Sequence, residues 1–180
     1  MKKTLAFLLA ALLPGLSFAQ AESPTKAEHL AEMKKLDFMI GEWKGTSKIR
    51  MGAGPASESA MQENVESVLG GLGILIRGRG TGQGAGGGER VTHEAVGLFN
   101  WDPAGKRYRF VSQTEKGYFT VTDAAFENGA FVWNLKMGGD AAARYTIRLD
   151  EAGRWNETGE MTRDGKTWAP FFEMVLSRVR

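Results

Sequence analysis

The chain has 180 residues, 42% hydrophobic and 24% charged, the balance of one compact globular domain and not of a disordered or fibrous chain. Its 23 basic residues face 21 acidic ones, and with Lys2 and Lys3 assigned to a cleaved leader the remainder is 21 against 21, which removes the electrostatic footing for nucleic acid. The absence of cysteine excludes disulfides, thiolate metal sites, thiol catalysis and a lipidated leader cysteine.

Residues 1–21 open with Lys2 and Lys3, run through nine apolar residues from Leu5 to Leu13, break at Pro14 and Gly15, and finish with the small residues Ser17, Ala19 and Ala21. This is the pattern of a secretory signal peptide, cut after Ala19 or Ala21. The apolar run reaches only about 14 Å as a helix against a bilayer core of about 30 Å, so no stable membrane anchor is expected. The mature product is expected in the periplasm or outside the cell.

Residues 22–35 read as a short helix, with Ser23-Pro24-Thr25 as its start and Leu30, Met33 and Leu36 at helical spacing. From residue 36 to the end the helical period disappears. Runs rich in β-branched and aromatic residues alternate with turn signals about every ten residues, which predicts an all-β domain. The expected strands are 41–50, 57–68, 72–80, 91–101, 107–114, 117–126, 130–137, 143–149, 155–162 and 166–178. Short turns such as Asn128-Gly129 and Asp164-Gly165 make sequence neighbours pair in space. An up-and-down antiparallel β-barrel of about ten strands satisfies every edge of such a meander and can enclose a cavity.

Alternation predicts which side chains enter it. Ala143, Tyr145, Ile147 and Leu149 share one face of their strand, with Arg144, Thr146 and Arg148 on the other. By the same parity Phe131, Trp133, Leu135 and Met137 face inward, as do Trp168, Phe172, Met174 and Leu176. Such an interior suits either a filled core or a cavity for an apolar ligand.

The motifs that carry chemistry are sparse. Residues 82–87 match a dinucleotide-binding glycine string, but seven glycines between Gly78 and Gly88 precede a strand and not a helix, so they read as a loop. Two histidines, His29 and His93, are too few for a closed metal site. No serine carries a nucleophile motif. Glu63, Glu66, Asp123, Glu157, Glu160 and Glu173 could supply a carboxylate pair, yet half-exposed strands carry such residues on their solvent faces.

Residues 36–45, with Gly41-Glu42-Trp43 at their centre, resemble the first strand of the calycin superfamily, whose members enter the barrel through a Gly-x-Trp turn. Residues 172–179 resemble its closing strand, in which an arginine lies across that tryptophan at the closed end. The resemblance implies a structural role for Trp43 and Arg178, and a guanidinium over an indole gains about 0.5–2 kcal/mol. Within the superfamily the chain is similar, over residues 36–179, to nitrobindin-like and small bacterial lipocalin-like secreted proteins of unassigned function. Haem-binding members supply a proximal histidine at the final strands, where this chain has Trp168-Ala169-Pro170-Phe171-Phe172, so no cofactor is expected. The segment from His93 to Phe99 resembles the family's histidine–glutamate strand.

The expectation is an extracytoplasmic binding protein whose barrel holds a small apolar or amphipathic molecule. Tyr118, Phe131, Trp133, Tyr145 and Trp168 are expected to line the cavity, with His93 as its polar group. Two alternatives come from other classes: a haem-dependent enzyme handling nitrogen oxide or peroxynitrite, and an envelope interaction domain without a ligand.

Overall fold

A computed structural model of the protein describes residues 24–84 and 86–180. The expected signal peptide, residues 1–21, lies outside the described residues. Helix α1 (Pro24–Lys34) and a 3-10 turn (Asp37–Met39) lead into ten strands: β1 (Gly41–Ile49), β2 (Ser57–Val68), β3 (Gly73–Gln83), β4 (Glu89–Asp102), β5 (Arg107–Thr114), β6 (Phe119–Glu127), β7 (Ala130–Gly138), β8 (Ala141–Leu149), β9 (Trp155–Thr162) and β10 (Trp168–Arg178). Each strand pairs with the next, and β1 pairs antiparallel with β10 to close the barrel. The expected ten-stranded up-and-down barrel with one short N-terminal helix is the architecture observed.

Local chemistry explains the tight connections. Asn128 and Gly129 both adopt positive φ, 50° and 76°, between the paired residues Glu127 and Ala130, giving a two-residue hairpin whose twist matches its strands. The strands around the glycine-rich loop run further than their composition predicts, to Gln83 and from Glu89, so the turn between them is short.

One end of the barrel is sealed. Helix α1 and the 3-10 turn bury Met33, Leu36 and Met39 against it. Lys106 Nζ donates to Glu28 at 2.6 Å, and the Tyr108 hydroxyl donates to the Glu32 carboxylate at 2.9 Å. Within the seal, the Trp43 indole N–H donates to the Met39 carbonyl at 2.8 Å and its ring meets Trp155 edge to face at 5.6 Å. The Arg178 guanidinium lies 4.2 Å over the Trp43 ring and donates to the carbonyls of Phe38 and Ile40. A Cβ at Gly41, whose φ is 140°, would stand 2.7 Å from Arg178 Nη1, so the Gly-x-Trp sequence leaves the guanidinium its path.

Large side chains crowd this closed half. Phe99 stacks on Phe110 at 4.2 Å, and Phe131 meets the rings of Phe99, Tyr108 and Phe126. In the opposite half, inward positions pass to Gly78 and Gly80 on β3, Ala95 and Gly97 on β4, Ser112 and Thr114 on β5, and Gly159 on β9. Interior side-chain size falls along the axis, so one half of the tube is solid and the other hollow.

Candidate functional site: a hollow half-barrel with buried carboxylates

The hollow half encloses about 770 Å³ and opens at the end opposite helix α1, a volume in the range of small-molecule sites. Its aromatic wall is built from β7, β8 and β10. Trp133 and Tyr145 form a cross-strand pair and stack at 4.1 Å with 8° between their planes, and Phe171 and Phe172 meet the Tyr145 ring edge-on at 5.7 Å. The opposite wall carries the glycines. A Cβ at Gly97 would stand 2.7 Å from the Phe110 ring, and one at Gly78 would stand 2.7 Å from both carboxylate oxygens of Glu63. These positions have no side chain because a neighbour's side chain occupies the space.

Of the residues expected to line the cavity, Trp133, Tyr145, Tyr118 and His93 do so. Tyr118 stands at the mouth, 67% exposed. His93 lies on the inward face of β4, with Glu94 outside in an ion pair with Arg79. Burial lowers the His93 pKa, the Glu115 carboxylate opposing that and Lys116 adding to it.

Phe131 and Trp168 are elsewhere. Phe131 has the expected inward face but sits too near the closed end, wholly buried beneath the cavity among the phenylalanines. Trp168 has the opposite face. The register of β10 against β9 shifts between Pro170 and Phe172, so Phe171 and Phe172 both enter the cavity and the parity of every earlier residue on the strand reverses. Trp168 therefore lies on the outer wall, where the Arg144 guanidinium is 4.8 Å from its ring centre and also pairs with Glu160 at 2.8 Å.

The site also contains two residues that composition assigned to solvent. Glu63 on β2 and Glu157 on β9 both point into the cavity and are 7% and 8% exposed. Glu63 pairs across the sheet with Trp43, and Glu157 stands one inward step beyond Trp155, so both carboxyls lie at the cavity floor above the two indoles of the seal. Burial lifts the Glu63 carboxyl to about 8, with the Glu157 charge adding to it. Burial also lifts Glu157, to about 7, with the indoles of Trp155 and Trp133 opposing. Glu63 Oε2 and Trp155 Nε1 are buried without a hydrogen-bond partner, so the Trp155 indole favours a charged Glu157 from nearby without bonding to it. Burial and the Glu157 charge push the Tyr145 hydroxyl up to about 12. A sequence signal existed: in Met61-x-Glu63-x-Val65 and Trp155-x-Glu157 the acid shares the parity of buried apolar neighbours.

The mouth has the opposite polarity. Arg90 and Lys116 line it, the Lys116 ammonium donating to the Thr92 carbonyl at 3.1 Å. No group of three or more His, Asp or Glu is placed to hold a metal among the described residues. The residues present do not fit a haem held from the last strands: phenylalanines 171 and 172 occupy that wall, and His29 lies at the sealed end, its Nε2 2.9 Å from the Leu72 carbonyl.

Residues 28–178 match a family model described as "Protein of unknown function (DUF1579)". No curated protein matches the chain. Among solved structures, that of Rv2717c from M. tuberculosis aligns over 88% of this chain and 99% of that one, with a TM-score of 0.58 at 13% identity, a likeness of fold.

Proposed function

The chain belongs to this family of proteins of unknown function, and from that premise we propose that it is an extracytoplasmic binding protein that takes a small apolar or amphipathic molecule into the hollow half of its barrel. The observation that carries the reading is the cavity itself: about 770 Å³, walled on one side by stacked aromatics and on the other by inward glycines against which neighbouring side chains pack. The leader-like residues 1–21 support the location outside the cytoplasm. The guanidinium–indole seal of Arg178 and Trp43 supports kinship with the calycin superfamily and its nitrobindin-like members.

Binding is tested by titrating a fluorescent fatty-acid analogue and a series of alkyl chains while following tryptophan emission, since Trp133 and Trp155 line the cavity. A saturable change that unlabelled chains compete away is the expected result. No response across chains of varied length and headgroup overturns the reading in favour of a ligand-free domain. A haemin titration with no Soret shift is expected from the wall chemistry, and a stoichiometric shift would restore the haem reading.

A further inference from the structure

The cavity has a chemical polarity that an apolar container does not require. Its floor holds Glu63 and Glu157, both more than nine-tenths buried, and Glu63 Oε2 is closed off from solvent without a hydrogen-bond partner. A buried polar atom left unpaired costs about 1–3 kcal/mol, more when it is charged, so leaving the Glu63 carboxyl unserved is expensive. Gly78 makes room for that carboxyl in the wall, since a Cβ there would stand 2.7 Å from both of its oxygens. The mouth carries Arg90 and Lys116, so the field along the barrel axis draws a cation inward and holds an anion at the rim.

We propose that the cavity floor is a cation site, at which Glu63 and Glu157 receive the protonated amine of an amphipathic ligand whose apolar or aromatic part lies against Trp133, Tyr145 and Phe172. This names the ligand class for the binding reading above and rests on it. An ammonium supplies three donors to two carboxyls whose charged forms repel each other in its absence. The surrounding indoles favour a cation further. The titratable and charged groups facing the cavity are Glu63, Glu157, Tyr145 and His93, with Arg90, Lys116 and Tyr118 at its rim. Of these, the two glutamates are the groups that lose protons when the ammonium enters near neutral pH.

The experiment is calorimetry on the purified protein with decylamine, decanol and decanoate, in two buffers of different ionisation enthalpy near pH 7. Decylamine is expected to bind about tenfold or more tighter than decanol, the ratio a charge-assisted hydrogen bond supports, and to release protons on binding. In the Glu63→Gln, Glu157→Gln double variant, decanol binding persists and the preference for the amine disappears. Decanol or decanoate binding as tightly as the amine, or amine binding without proton release, overturns the cation site and leaves the binding reading intact. Both wild-type readouts hold whether or not the double variant folds. No binding by any of the three chains defeats the binding reading, and the cation site with it.

Discussion

The Arg178 guanidinium stands 4.2 Å above the ring of Trp43 while donating to the carbonyls of Phe38 and Ile40, so one side chain ties the last strand to the segment preceding the first. The barrel closes through the β1–β10 pair, and Trp43 faces Arg178 in that register. Replacing Arg178 with Ala removes the stacking contact and two charge-assisted hydrogen bonds. An expected loss of about 1–3 kcal/mol should appear in urea unfolding. Arg178→Lys keeps the charge without the planar fork and should recover less than half of it.

Stability should fall as pH rises through neutrality. Glu63 and Glu157 have folded-state values near 8 and 7, above the 4.5 of an exposed glutamate, so the folded protein binds more protons than the unfolded chain between these limits. The stabilisation is complete below about pH 4.5 and is lost progressively up to about pH 8, a change on the order of a few kcal/mol. Urea midpoints measured from pH 5 to pH 8 should decline in the wild type. Glu63→Gln should flatten that decline, and an unchanged slope would show that the carboxyl is not held neutral.

Two glycines separate space for function from space for the fold. A Cβ at Gly45 would overlap the carbonyl oxygen of Val175 on the closing strand, so Gly45→Ala should destabilise by about 1–3 kcal/mol. A Cβ at Gly78 meets only the flexible end of Glu63. Gly78→Ala should therefore cost less in thermal unfolding than Gly45→Ala while weakening whatever binds at the floor.

The two outer-half tryptophans should report differently on a bound ligand. Trp133 stacks on Tyr145 inside, whereas Trp168 lies under Arg144 outside. Trp168→Phe should leave the ligand-induced change in emission intact, and Trp133→Phe should remove most of it. The reverse pattern would place the ligand on the outer wall.

Period-two alternation and turn residues were enough to read the strand count, the meander and the inward face of most strands, because both are local properties of a chain that pairs each strand with its neighbour. They also located Trp133, Tyr145 and His93 on the cavity side. Alternation separates inside from outside only, which is why it could not show that Phe131 lies below the hollow half or that the shift before Phe172 turns Trp168 outward. Nor could it bring Glu63 and Glu157 to one floor. They belong to strands separated in the wall by β1 and β10, and they share a depth only because closure of the barrel fixes the register of each strand against the next. The sequence by itself determined a closed tube with an aromatic lining. Where the tube is hollow, and that acids lie at its base, was decided by tertiary structure, since depth along a barrel is set by the accumulated register of all its strands and by no single one of them.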